Sequence, residues 1–65
     1  MVRVKQILKD GEKFIWNKKY ESKYEAEEAI YEDYEIDFDN GSEETLKYQI
    51  LGENSNKVIK TIWID

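Results

Sequence analysis

Residues 21–44 read ESKYEAEEAIYEDYEIDFDNGSEE, and this stretch decides how the rest of the chain is interpreted. It holds 11 of the 15 acidic residues and one basic residue, Lys23. The formal net charge of the whole chain is only −5, because the segments on both sides are more basic than acidic. The negative charge is therefore concentrated in the middle of the chain.

Local signals divide this stretch into a helix and a strand. Ser22 and Glu25 have the Ser-x-x-Glu spacing of a capping box, which predicts a helix from residue 23 to about residue 33. Residues 34–39 (YEIDFD) alternate apolar and acidic side chains, which is the pattern of a half-buried strand. Asn40-Gly41 then predicts a tight turn.

The flanking segments predict antiparallel strands. Residues 2–8 and 13–18 alternate around Asp10-Gly11, a strong hairpin signal because Gly adopts positive φ at little cost. Residues 45–51 and 57–64 predict two further strands, separated by a polar loop at 52–56. We expect a single α+β domain over residues 1–65 in the order β-β-α-β-β-β, mostly antiparallel, with the helix packed on one face of the sheet.

One short helix cannot cover both faces of such a sheet. The predicted core combines Ala26 and Ile30 of the helix with apolar positions of the strands, namely Val2, Val4, Leu8, Phe14, Trp16, Ile36, Phe38, Leu46, Tyr48 and Ile50. Ile7, Ile15, Leu51, Ile59 and Trp63 are left for the other face. Either the sheet curls over a second small core, or an apolar patch is exposed for contact, including homodimer formation through Ile15, Ile59 and Trp63.

Composition argues against catalysis and against a bound cofactor. The chain has no His and no Cys to activate a nucleophile, and a domain of 65 residues leaves little room for a desolvated acid–base pair. The acidic residues around Gly41 do not match a calcium loop, because setting Gly41 at loop position 6 puts Ile36 at position 1 and Lys47 at position 12. We therefore expect no enzyme activity, no metal and no cofactor.

The acidic residues are the first candidate for a binding surface. A predicted helix row and a predicted strand row would present regularly spaced carboxylates, with Tyr31 nearby, and their members are Glu25, Glu28, Glu32, Glu35, Asp37 and Asp39. Glu28 and Glu32 repel each other at i, i+4 without a nearby cation on the helix. The first hypothesis is a protein-interaction module that occupies the basic cleft of a partner, as inhibitors that mimic DNA do; the alternative interpretation is a solubilising face.

The basic first third of the chain supports a second hypothesis. Cationic residues on or beside the first hairpin could contact nucleic acid, and they are Arg3, Lys5, Lys13, Lys18 and Lys19. The overall acidic charge argues against general nucleic-acid binding. No apolar segment is long enough for a membrane span and no secretory signal is present, which favours the cytoplasm. A third hypothesis is a structural, self-associating or designed domain without a specific ligand.

Overall fold

The computed structural model describes residues 1–39, 44–52 and 57–64, with the backbone alone at residues 37–39. The elements are β1 (Val2–Leu8), β2 (Lys13–Tyr20), α1 (Lys23–Asp39), β3 (Thr45–Gly52) and β4 (Val58–Trp63). The strands form one sheet in the order β2-β1-β3-β4, and each neighbouring pair is antiparallel. The predicted α+β class, with an antiparallel sheet and one packed helix, is confirmed.

The first hairpin folds around Gly11, as its sequence predicts. Gly11 has φ of 96°, a conformation that an L side chain rarely adopts. The Leu8 amide donates to the Glu12 carbonyl at 2.8 Å, and the Glu12 amide donates to Asp10 Oδ1 at 2.9 Å. Both bonds close the loop, and they bring β1 and β2 into register.

Helix α1 begins at the predicted cap. The Glu25 amide donates to Ser22 Oγ at 3.4 Å, so the first half of the capping box is present. The Glu25 carboxylate accepts a hydrogen bond from the amide of Glu21 at 3.2 Å, one residue earlier than the reciprocal bond that a capping box would make. The two bonds satisfy two backbone donors at the start of the helix.

The predicted strand at residues 34–39 is wrong, because these residues are the last part of α1. Once a helix is nucleated, adding another residue costs little, and no Gly or Pro interrupts the chain between Asp33 and Asp39. Asp37 and Asp39 are therefore helical, and the predicted row of carboxylates on a strand does not exist. The predicted turn at Asn40-Gly41 and the loop at 53–56 lie outside the described residues.

The core lies between α1 and one face of the sheet. Its buried residues are Val2, Val4, Ala26, Ile30, Tyr48, Ile50 and Ile62, with Trp16, Tyr20 and Ile64 packed against them. Two predicted core residues are wrong, since Phe14 is 50% exposed and Ile36 is 60% exposed. Phe14 lies on the outer strand β2, and Ile36 lies in the part of the helix that was predicted to be a strand. The side chain of Phe38 is outside the described residues.

Polar side chains are satisfied within this core. The Trp16 indole N–H donates to Gln6 Oε1 at 3.1 Å, and Gln6 Nε2 donates to Thr45 Oγ1 at 2.7 Å. The Tyr48 hydroxyl donates to Asp33 Oδ2 at 2.6 Å, which ties the helix to β3. Buried polar groups need such partners, and these bonds orient the strands relative to the helix.

Candidate functional site

The extension of α1 places exposed carboxylates along one line of the helix. Glu25, Glu28, Glu32 and Glu35 follow one another at intervals of three and four residues, which puts them on one helical face. This acidic stripe lies opposite the buried residues Ala26 and Ile30, and its side chains are exposed. Of the strand row predicted from the sequence, Glu35 joins the helix row, in which consecutive charges are separated by about one helical turn, roughly 5 Å; the side chains of Asp37 and Asp39 lie outside the described residues. Tyr31, 49% exposed, flanks it.

The acidic stripe forms one wall of a cleft. Lys18, Lys19 and Tyr20, at the end of β2, face Glu25, Glu28 and Glu32 across an open cleft of about 560 Å³. Burial raises the pKa of Tyr20, and the negative charges of Asp33 and Glu32 raise it further. The helix therefore exerts its electrostatic field on the adjacent end of the sheet.

Two other acidic residues of α1 have partners in the sheet. Glu27 forms an ion pair with Lys60 of β4, and the hydrogen bond to Glu27 raises the pKa of Lys60. Asp33 accepts the bond from Tyr48. In the described part of the chain no ion pair involves Glu28, Glu32 or Glu35. The acidic residues near the sheet thus support the fold, whereas the stripe makes no comparable contact.

The strand registers assemble a different surface on the sheet face opposite α1. Residues that are directly paired across neighbouring strands point to the same face of a sheet. Three rows lie on this side, and we call them the open face. The first is Lys13, Ile7, Lys47 and Trp63; the second is Ile15, Lys5, Gln49 and Thr61; the third is Lys19, Arg3, Leu51 and Val58.

The open face is cationic along every row. Arg3, Lys5, Lys13, Lys19 and Lys47 belong to it, and the three rows contain no acidic residue. Four of the five basic residues that the sequence singled out are therefore gathered on this face. The fifth, Lys18, has its ammonium 5.4 Å from the centre of the Tyr20 ring, beside the cleft.

The sequence placed Trp63 on the face away from the predicted core, as part of an apolar contact, but did not single out Lys47 or group either residue with the cations. The Lys47 ammonium lies 4.4 Å from the centre of the Trp63 ring, a cation–π contact between paired residues of β3 and β4. Trp63 is nevertheless 62% exposed. Alternation in the sequence does place both residues away from the core, but only the strand order shows that they continue the row begun by Lys13 and Ile7.

The apolar residues of the open face are covered unevenly. Leu51 and Ile7, in the inner strands, are 2% and 8% exposed. Ile15 and Trp63 remain exposed on opposite outer strands, and Ile59 is skipped by the register between β3 and β4. The three residues predicted to form a homodimer contact are therefore not gathered into one patch. The stems of long cationic side chains can cover apolar neighbours while the charges stay in water.

Among the residues that the structure describes, no group of three His, Cys, Asp or Glu side chains is placed to hold a metal ion. The helix α1 is neither long enough nor apolar enough to cross a membrane. Comparisons with families of known proteins, with curated proteins and with solved structures gave no match.

Proposed function

We propose that this domain is a binding module, not an enzyme, and that it contacts nucleic acid through the open face. The observation that carries the proposal is the segregation of charge across the sheet. All three cross-strand rows of the open face contain basic residues and none contains an acidic one, while the acidic stripe lies on the far side of the helix. Phosphate groups are the ligands best matched to such a surface.

Three of the basic residues on the open face have no internal counter-charge in the part of the chain that the structure describes. In the described part of the chain, no ion pair involves Arg3, Lys5 or Lys13. The Arg3 Nε is buried and has no hydrogen-bond partner among the described residues. Such a donor is usually completed by water or an ion. Several cations without anionic partners, held in register by one sheet, favour binding of a ligand with several phosphates.

The acidic helix does not rule out this binding. For Arg3, Lys5, Lys13 and Lys47, a layer of helix and sheet roughly 10 Å thick or more lies between the open face and the acidic stripe. Lys19, at the edge of the open face, also lines the cleft beside the stripe. The Debye length is about 10 Å at 0.1 M salt, so repulsion from the stripe is largely screened near physiological ionic strength. The sequence-based argument against nucleic-acid binding depends on the net charge of the whole chain. This net charge does not describe either face separately.

The proposal is tested by binding of fluorescently labelled 12-nucleotide probes, single-stranded and duplex, at 50 to 300 mM salt. The variant Lys5→Gln/Lys13→Gln removes two charges of the open face. We expect its affinity to fall on the order of tenfold at 50 mM salt and its salt slope to decrease by about 2, because each lost phosphate contact releases one counterion fewer.

A matched control has the same net charge as the Lys5→Gln/Lys13→Gln variant. Lys18→Gln/Lys23→Gln removes two lysines outside the open face, each lying over a neighbouring tyrosine ring. We expect this variant to bind within about twofold of the wild type. The proposal would be refuted if neither probe bound at 50 mM salt, or if both variants lost the same amount of affinity.

A second candidate function is the one ranked first from the sequence, occupation of a partner's basic cleft by the acidic stripe. The observation that favours it is the continuation of α1 to Asp39, which aligns Glu25, Glu28, Glu32 and Glu35 on a single exposed line. The carboxylates toward the C-terminus of the helix also oppose the helix dipole, so they reduce local stability. Asp39 follows Glu35 at i+4 in the same helix and continues this line, whereas Asp37, seven positions after Ile30, falls on the other side of the helix.

This second candidate is tested by capturing proteins from the source cells at 50 and 500 mM salt. The stripe variant is Glu28→Gln/Glu32→Gln/Glu35→Gln. The control variant is Asp10→Asn/Glu12→Gln/Glu44→Gln, which removes equal charge from positions outside α1 and keeps the Oδ1 acceptor of the first hairpin. A partner that is retained by the wild type and the control but lost by the stripe variant would support the candidate. Equal capture by all three proteins would exclude it.

A further inference from the structure

We infer that the preferred ligand of the open face is a single strand of nucleic acid and that Trp63 stacks on one of its bases. This inference rests on the function proposed above. The inference depends on the exposed indole of Trp63, which lies next to the Lys47 ammonium. These two residues end a row that continues through the buried Ile7 to Lys13. Stacking and phosphate contact are the two interactions that bind single strands without sequence preference.

The width of the open face favours a single strand over a duplex. Neighbouring strands lie about 4.8 Å apart, so a row from β2 to β4 spans roughly 14 Å between the outer strands. The major groove of B-form DNA is about 12 Å wide and admits a helix or a two-stranded ribbon. A four-stranded face cannot enter it, and a duplex would touch these cations only along its outer phosphates. A single strand, by contrast, can lie across all four strands.

The chemistry of the open face leads to the same ligand. Trp63 and Ile15 expose 62% and 49% of their surfaces among the cations. A duplex hides the faces of its bases, so exposed apolar and aromatic side chains make few contacts with it. The unstacked bases of a single strand can contact both kinds of side chain. Gln49 and Thr61, which lie in the same row as Ile15 and next to the row that ends at Trp63, carry donors and acceptors for base edges.

The two tryptophans of the chain differ in a way that isolates the role of Trp63. Trp16 packs edge-on against Tyr48, with ring centres 5.9 Å apart, and its indole N–H is bonded to Gln6. Trp16 therefore holds β2 to the core. Trp63 has a lysine on its ring and is mostly exposed, so its removal should leave the fold intact.

The experiment measures the affinity of the full chain and of Trp63→Ala for oligo-dT and oligo-U of 12 nucleotides and for a 12-base-pair duplex. We expect the wild type to bind at least one single strand about tenfold or more tightly than the duplex. Trp63→Ala should lose about tenfold or more for that strand, and Trp63→Phe should recover part of the loss. The deoxy and ribo probes distinguish single-stranded DNA from RNA as the source of the ligand.

Tyr24→Ala provides the matched control. Tyr24 is also an exposed aromatic residue with a lysine ammonium near its ring, at 5.4 Å, but it lies on α1 outside the open face. Its removal should leave affinity unchanged, and the thermal unfolding of every variant should match the wild type within a few degrees.

The outcomes separate the inference from the function on which it rests. Equal affinity for duplex and single strands, with no effect of Trp63→Ala but a loss in Lys5→Gln/Lys13→Gln, would overturn the inference and retain a charge-driven nucleic-acid contact. Failure of all three probes to bind at 50 mM salt would overturn both.

Discussion

The helix-covered side of this domain and the open face of its sheet carry opposite charges, and they use charged residues in different ways. On the helix side, Glu27 is paired with Lys60 and Asp33 with Tyr48, so acidic groups close to the sheet join the helix to the strands. On the open face, Lys5 and Lys13 make no ion pair with a described residue. The contacts of Glu27 and Asp33 link α1 to the sheet, whereas surface charges without partners are available for a ligand. The difference indicates which charges to test for function and which for stability.

The largest effect that we expect comes from the buried side of the helix. Ile30→Ala removes a fully buried side chain from the contact between α1 and the sheet, and we expect the free energy of unfolding to fall by about 2–4 kcal/mol. Ile36→Ala, in the exposed end of the same helix, should change it by less than about 0.5 kcal/mol. Urea denaturation of both variants provides the measurement. Equal losses would mean that both ends of α1 pack on the sheet.

The next largest effect concerns the bond between Tyr48 and Asp33. Tyr48→Phe leaves a part-buried carboxylate without its donor, and we expect a loss of about 1–3 kcal/mol. Tyr31→Phe removes the hydroxyl of an exposed tyrosine and should be nearly neutral. A neutral result for Tyr48→Phe in urea denaturation would show that this acidic group does not hold the helix to β3.

A smaller effect connects the two sides directly. Glu28→Gln/Glu32→Gln removes a like-charge pair and two negative charges from the helix, so we expect a gain in unfolding free energy of roughly 0.3–1 kcal/mol. Because repulsion of a polyanion by the acidic stripe is screened by salt, the same variant should bind single strands more tightly at 20 mM salt and equally at 200 mM. Salt titrations of binding measure this difference. An equal gain at both concentrations would contradict the separation of the two faces.

The smallest effect is a change of stability with pH. Burial and the charges of Asp33 and Glu32 raise the pKa of Tyr20 in the folded protein above its value of 10.0 in the unfolded chain. The unfolded state therefore loses this proton first, and stability is lost as pH rises from about 10 through the folded pKa. Tyr20→Phe lacks this contribution. Melting temperatures of the two proteins should run in parallel from pH 7 to 9 and diverge above pH 10, with the wild type falling more steeply.

The sequence predicted those parts of the fold that depend on short-range signals. Asp10-Gly11 predicted the first hairpin, and Ser22 with Glu25 predicted the start of the helix, because turn and cap geometries are satisfied by residues a few positions apart. The predicted end of the helix, at about residue 33, was wrong. Alternation at residues 34–39 predicted a strand, but a helix with polar residues on most sides can contain the same letters. Without a Gly or Pro stop signal, local pattern could not choose between them.

The candidate site shows the same division. The basic residues Arg3, Lys5, Lys13 and Lys19 were identified from the sequence, but as a hairpin surface. Only the strand order β2-β1-β3-β4, in which β1 and β3 are neighbours, shows that these residues share a face with Lys47 and Trp63. Alternation assigns a residue to one of two faces, yet it does not say which strands lie side by side or which face the helix covers.

By itself, the sequence determined the charge of each segment, the first hairpin, the start of the helix and the α+β class, because these follow from composition and from contacts between near neighbours in the chain. The structure added Glu35 to the row of carboxylates that the sequence predicted on the helix, and tertiary structure alone decided that the cations form one surface on the opposite side. The physical reason is that the cationic surface depends on long-range pairing. The register of β1 with β3 places residues such as Ile7 and Lys47, 40 positions apart, side by side, and the packing of Ala26 and Ile30 on the sheet selects the face that remains open.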